Sequence, residues 1–225
     1  MLKEYKLVVN EEPNSLSAEA YRKLALNIKY LAKDKKTQVI LVASSQDADS
    51  KSMGLMNLAV TYAQKGLKVI ALDADFRSPK LHLGFNLENS KGLKEVINEE
   101  VKLADAINKT ATNVDVIVAG SDVTSSSQLI ENPNLDKVLD DLRKKYDVIL
   151  IDSAPLNVLI DALSLTRLAD GVLFVTNYQA SKKESDRRAI KSLRMSGAFI
   201  LGALVTEMLN TEKEDKAYFN DGGNK

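Results

Sequence analysis

The sequence predicts an α/β domain with a doubly wound, mostly parallel sheet. Strand-like apolar runs near 38–43, 68–72, 114–118, 147–151, 171–176 and 200–205 alternate with helical patterns near 18–33, 53–65, 92–98, 134–145, 159–168 and 182–196. Such alternation implies a parallel sheet covered by helices on both faces. Two runs also end on carboxylates. KVIALDADFR places Asp73 and Asp75 at a strand's C-terminal end with Arg77 just beyond, and YDVILIDSAP places Asp152 at another. Ligands of open parallel sheets bind outside those strand ends, so the residues that mark the fold also mark a site for a metal and a phosphate.

The elements follow in order. SAEAYRKLALNI, residues 17–28, opens the first helix with Ser17 as a plausible N-cap. Glu19 and Arg22 lie three apart on one face of it, as an interface or as a plain surface ion pair. The strand Gln38–Ala43 runs into SSQDADSKSMGLMNLAVTYAQKG, residues 44–66, and Lys51-Ser52 sits where strand gives way to helix. That is the place of the last two residues of G-x-x-x-x-G-K-[ST]. There the lysine would reach the β- and γ-phosphates and the Ser52 hydroxyl would ligate magnesium. Ala48, Asp49, Ser50 and Met53 would line the same nucleotide contact, at a helix N-terminus whose free N–H groups attract anions. The motif's glycines are missing, with Ser45, Ala48 and Ser50 at and around their places, and taken alone the pair suits a solvated helix start.

Gly66 suits the end of the second helix. Asp73 and Asp75 at the next strand's end have a plain alternative as turn or cap residues. His82, the single histidine, cannot build a metal site alone and is expected to be a structural hydrogen-bonder. The charged run Lys182–Arg188 is expected to form a solvated helix face ahead of Gly197 at its end. Neither an internal repeat nor a Pro-, Gly- or Ser-rich linker divides the chain, so one domain is expected over residues 1–209. The remainder, residues 210–225, is polar, glycine-bearing and expected to be a flexible tail carrying Tyr218.

Composition narrows the function classes. A chain of 225 residues fits one α/β domain with a full core. With no cysteine, disulfides, iron–sulfur clusters and thiol catalysis drop out. Lys plus Arg equals Asp plus Glu at 31 each, which argues against a general nucleic-acid binder. No apolar run approaches the roughly 20 residues that span a bilayer, and no signal peptide is legible. Membrane association is therefore expected only through a partner, with the chain itself cytoplasmic.

Taken together, these motifs resemble the bacterial tyrosine kinases of capsule and exopolysaccharide synthesis, over nearly the full length. SAEAYRKLALNI is similar to the family's oligomerisation helix E-x-x-R-x-x-R, about residues 17–33 here, with Glu19 and Arg22 matching and Ala25 in place of the last arginine. LDADFRSPKLH resembles D-x-D-x-R-x-P-x-x-H and keeps Asp73, Asp75, Arg77, Pro79 and His82. LIDSAP resembles Walker B, and Lys51-Ser52 stands where the family has P-G-x-G-K-[ST]. The resemblance implies a P-loop NTPase-like fold, phosphoryl transfer from magnesium-bound ATP, and ADP as product. Lys51 would offset phosphate charge, and Ser52 and Asp152 would hold magnesium with support from Asp75. Asp73 would hold metal or orient the acceptor tyrosine, with Arg77 among the catalytic residues. It further implies homo-oligomers, tail tyrosines as acceptors (here Tyr218), and a membrane adaptor, the polysaccharide co-polymerase, at the inner face of the cell membrane.

The departures fall on four parts at once. Glycines in a phosphate loop supply positive φ and close backbone approach, and a non-glycine residue in left-handed geometry costs roughly 1–2 kcal/mol. Asp47 adds a negative charge where the family usually has proline. Thr206 replaces the asparagine that helps read adenine, the third helix arginine is Ala25, and the tyrosine cluster has shrunk to Tyr218. Three readings remain: an autokinase, a weakened or inactive relative serving as scaffold or regulator of export, and a partitioning-type ATPase. The last is disfavoured because its signature lysine falls at Gln46. Reverting Asp47, Ala48 and Ser50 to Pro, Gly and Gly should tighten magnesium–ADP binding at least roughly tenfold, or about 1.4 kcal/mol, in calorimetric titration. Unchanged affinity would mean that the native loop already cradles phosphate.

Overall fold

A computed structural model describes residues 5–31, 37–47, 50–121, 125–157 and 161–208. Among the described residues, seven strands form one sheet: β1 (Val39–Ser44), β2 (Val69–Ala74), β3 (Asn108–Lys109), β4 (Val114–Ile117), β5 (Val148–Ser153), β6 (Gly171–Asn177) and β7 (Ile200–Thr206). Their order is β3-β4-β2-β5-β1-β6-β7, and every pairing is parallel except that of the short edge strand β3. From β1 the chain moves to β2 on one side, and from β5 it crosses to β6 on the other. The switch point therefore lies at the C-terminal end of β1, where such sheets bind ligands.

Period-two alternation splits each central strand between two cores. Val39, Leu41 and Ala43 of β1, Ile70 and Leu72 of β2, and Ile149 and Ile151 of β5 pack on one face. Above them lie α5 (Leu93–Ile97), α6 (Leu103–Ala106), α7 (Ser126–Glu131), α8 (Pro133–Arg143), α9 (Asp161–Leu165) and α10 (Lys183–Met195). Ile40, Val42, Val69, Ala71, Val148 and Leu150 face the other way. There they meet α1 (Val8–Glu11), α2 (Leu16–Leu31), α3 (Ser50–Gln64) and α4 (Leu81–Gly84). Burial on both faces is why the strands are continuous apolar runs rather than alternating ones.

The predicted elements recur with small shifts at their ends, while α1, α4, α6, α7 and β3, each of two to six residues, are too short to show a period. Helix α2 begins two residues earlier than expected. Ser15, not Ser17, caps it, accepting the Ala18 N–H at 3.1 Å. Gly66 and Gly197 follow α3 and α10 with φ of +80° and +76°, the left-handed turn that ends a helix without side-chain strain. Not all tyrosines lie against the core: Tyr30 and Tyr178 are 65% and 66% exposed. Among the described residues, no helix is long and apolar enough to cross a membrane. The tail with Tyr218 lies outside the described residues.

Asp170, just before β6, fixes the start of β1. Its Oδ2 accepts the backbone N–H groups of Gln38 and Val39 at 2.8 and 2.7 Å, and Arg143 grips both its oxygens at 2.8 Å. Burial opposes its charge, but Arg143 and the two N–H groups outweigh it and hold the carboxyl below the usual range. Its contribution is present above the ordinary carboxylate pKa and is lost as pH falls through its own lowered pKa. Asp170→Ala leaves two backbone donors and a guanidinium unpaired. Denaturant unfolding at neutral pH should show a loss of about 2–3 kcal/mol, shrinking as pH is lowered.

Candidate functional site

Strand parity brings the carboxylates together. Asp152 on β5 continues the series Val148 and Leu150, and Asp73 on β2 continues Val69 and Ala71, so both emerge on the α3 side of the sheet. They are partners in register, and Val42 of β1 lies beside Asp152 on its other flank. Helix α3 starts at Ser50, immediately after the loop that leaves β1, and buries Ser50, Lys51 and Ser52. The Lys51 ammonium pairs with Asp152 Oδ1 and lies 3.8 Å from Asp75 Oδ2. The Ser52 hydroxyl donates to Asp152 Oδ2 at 2.5 Å. Lys51, Asp73, Asp75 and Asp152 are each no more than 2% exposed.

Asp73 holds the next loop in place. Its Oδ1 accepts the Asp75 N–H at 3.2 Å, and its Oδ2 accepts those of Lys80 and Leu81 at 2.9 and 3.0 Å. Burial and the charge of Asp152 raise its carboxyl to about 7, against the lowering effect of these bonds and of Lys51. Burial likewise raises Asp75, partly offset by Lys51. Asp75 Oδ1 accepts the Ser78 N–H at 3.1 Å, while its Oδ2 is buried with no hydrogen-bond partner, as is the Ser50 hydroxyl at the start of α3.

Those two orphaned oxygens bear on whether the residues fit magnesium and phosphate. A carboxylate oxygen facing only a lysine is a ready ligand for a hard cation, and a lone hydroxyl at a helix N-terminus suits a phosphate oxygen. Ser52 and Asp152, joined by a hydrogen bond, are the pair that would hold the ion. Among the described residues no cluster of three acidic, imidazole or thiol groups binds a metal unaided. Magnesium usually keeps water and takes substrate phosphate oxygens beside one or two carboxylates, so the residues fit a metal that arrives with nucleotide.

The other predicted residues separate. Arg77 is exposed, with its Nε 3.4 Å from the Ser126 hydroxyl, which itself donates to Asp161 at 2.5 Å. Thr206 is buried at the end of β7, where its hydroxyl donates to Thr176 O at 3.3 Å. Met53 packs against the α3-side core. Glu19 and Arg22 form an ion pair at 3.1 Å within one helix, and Arg22 also caps Pro13 O. Ala48 and Asp49 lie outside the described residues. His82 is not a side-chain hydrogen-bonder through Nδ1, which is buried without a partner, and burial lowers its pKa.

Sequence reasoning missed two residues. Asp186, inside the run read as a solvated face, points inward and accepts the hydroxyls of Ser45 and Thr176 at 2.5 and 2.6 Å, so α10 holds the phosphate loop. A helical wheel of α10 places Asp186 near buried Ala189 and Leu193, a signal the charge run obscured. Lys80 is buried, with its Nζ 3.1 Å from Asp47 Oδ1. Only the folding of one loop beneath another reveals it.

A family model described as an AAA domain matches residues 37–187. The tyrosine-protein kinase YwqD of Bacillus subtilis is 27% identical over 97% of this chain and 92% of its own. The crystal structure of the chimerical protein CapA2B2 superposes with a TM-score of 0.87 at 31% identity, over 92% of this chain and 91% of that one. The chain belongs to the bacterial tyrosine kinases of capsule and exopolysaccharide synthesis. The fold is P-loop NTPase-like. It extends to the septum site-determining protein MinD of Pyrococcus horikoshii, solved with Mg-ADP, at a TM-score of 0.64 and 25% identity over 81% of this chain and 77% of that one.

The raised pKa of Asp73 carries a prediction. Between the ordinary carboxylate value and about 7 the folded protein holds a proton that the unfolded chain has lost. The contribution is therefore present at low pH and is lost as pH rises through about 7. In Asp73→Asn, chemical unfolding without magnesium should show a shallower fall in stability over that window. Overall stability should drop as well, because an amide cannot accept all three backbone N–H groups. An unchanged pH slope would place the proton elsewhere.

Proposed function

We propose that this protein is an ATP-dependent tyrosine autokinase-like member of its family with a weakened nucleotide site, regulating capsule or exopolysaccharide synthesis and export. The observation that supports it best is the buried Lys51–Asp152–Ser52 unit at the switch point, beside the unpartnered oxygens of Asp75 and Ser50. Lys51 and the start of α3 would offset phosphate charge, with Ala48, Asp49 and Met53 alongside. Ser52 and Asp152, with Asp75, would hold magnesium, whose bound charge screens the transferring phosphoryl group. Asp73 has a pKa near neutrality and one lone pair left on Oδ1, which suits a proton acceptor for a tyrosine hydroxyl. Catalysis of this kind is positioning plus electrostatics.

A second reading, a scaffold that has lost catalysis, is favoured by specific contacts. Arg77 is turned towards Ser126, and Thr206 is tied back to Thr176 rather than free to read a base. In either reading residues 1–209 act as the working domain, with Glu19 and Arg22 at a homo-oligomer contact. In the kinase reading residues 210–225 serve as an acceptor tail, and in both a membrane adaptor recruits the chain to the inner face of the cell membrane.

Incubation with ATP, magnesium and the adaptor's cytosolic segment, followed by phosphopeptide mapping, tests this. Phosphate should appear on Tyr218 and disappear in Lys51→Met. Tyr30 and Tyr178 are the exposed competitors, and labelling there without Tyr218 would overturn the tail assignment. No phosphate anywhere, with adaptor binding intact, would favour the scaffold reading.

A further inference from the structure

Asp47 leaves the end of β1 in the loop that leads into α3, and Lys80 follows the β2 carboxylates in the next loop. Their side chains meet with opposite accessibility. The lysine is 8% exposed and the carboxylate 59%. The Lys80 ammonium has three protons to place and finds three oxygens: Ser78 O at 3.2 Å, Ser78 Oγ at 3.0 Å and Asp47 Oδ1 at 3.1 Å. Its backbone is pinned separately, because its N–H is one of those gripped by Asp73. Burial works against its charge, but the hydrogen bond and charge of Asp47, and the charge of Asp75, outweigh it.

The asymmetry gives this pair a direction. The exposed Asp47 carboxylate can swing into water, where it is well solvated. Lys80 cannot follow it, and a buried cation left alone is costly. Whatever displaces Asp47 must itself be anionic. The loop that carries Asp47 is the one whose end, at Ser50–Ser52, faces the site carboxylates.

We propose that Lys80 is a second phosphate-binding cation of this site, held by Asp47 in the nucleotide-free protein and transferred to phosphate oxygens when nucleotide binds. The inference rests on the reading that the site takes magnesium–nucleotide. Asp47 is then a competitor for the phosphate chain, and Lys80 supplies positive charge at a loop without its glycines.

Calorimetric titration with magnesium–ADP of the wild type, Lys80→Met, Lys80→Arg and Asp47→Asn tests it. Both Lys80→Met and Asp47→Asn break the same ion pair, so a merely structural tether would weaken binding in both. The proposal requires opposite signs. Lys80→Met should weaken binding about tenfold, Asp47→Asn should tighten it about threefold or more, and Lys80→Arg should stay close to wild type. Thermal unfolding without nucleotide should fall slightly and alike in Lys80→Met and Asp47→Asn. Weakening in both, or no change in either while the wild type binds, overturns the role of Lys80 alone. A wild type that binds no magnesium–ADP overturns this inference together with the nucleotide reading. If Lys80→Met does not fold, the sign of the Asp47→Asn effect still decides: unchanged or weaker binding there overturns the proposal.

Discussion

The ammonium of Lys51 is buried at the centre of the sheet's C-terminal end, and much of the architecture is arranged around that charge. An isolated ammonium in a dry interior is prohibitively unfavourable. The chain supplies Asp152 against it and Asp75 at 3.8 Å, each from the end of a different strand. Two strands with β1 beside them must therefore be in register before the lysine is tolerable, which couples the helix start to the sheet order. The sheet in turn depends on Asp170 and Arg143, which hold β1 at its far end.

The same arrangement explains why the site is both formed and restrained. Lys51 already has carboxylates, Lys80 already has Asp47, and Asp186 already holds Ser45 of the loop. Under the proposed reading, phosphate binding would exchange partners at these cations, and each exchange would cost part of what the new contacts contribute. Among the described residues, the buried polar atoms left open at this site are few: one oxygen of Asp75, the hydroxyl of Ser50 and the side-chain amide nitrogen of Gln46 in the loop after β1. These are acceptor or donor atoms of the kind that a magnesium-bound phosphate completes, consistent with a site assembled around an incoming ligand.

The Asp47 substitution also acquires a different meaning in three dimensions. From sequence it is an extra negative charge beside a polyanion. In the fold it neutralises a buried lysine that arrives from the β2 side, so charge in the loop and charge beneath it are linked. Likewise Asp186 of the α10 charge run is a tether for the loop rather than a solvated group.

The sequence by itself determined the doubly wound class, the order of the longer helices and strands along the chain, and the meeting of Asp73, Asp152 and Lys51. Apolar runs buried on both faces identify parallel strands, and a period of two dictates which carboxylates share a face. These are local rules, and they survive folding. Only the tertiary structure decided where Arg77, Thr206 and Lys80 point, and which hydroxyls Asp186 binds. Their partners lie 10 to 141 residues away in sequence, and no periodicity encodes a contact between loops. The same holds for the cap of α2, where Ser15 and Ser17 are equivalent as letters and hydrogen-bond geometry chooses between them.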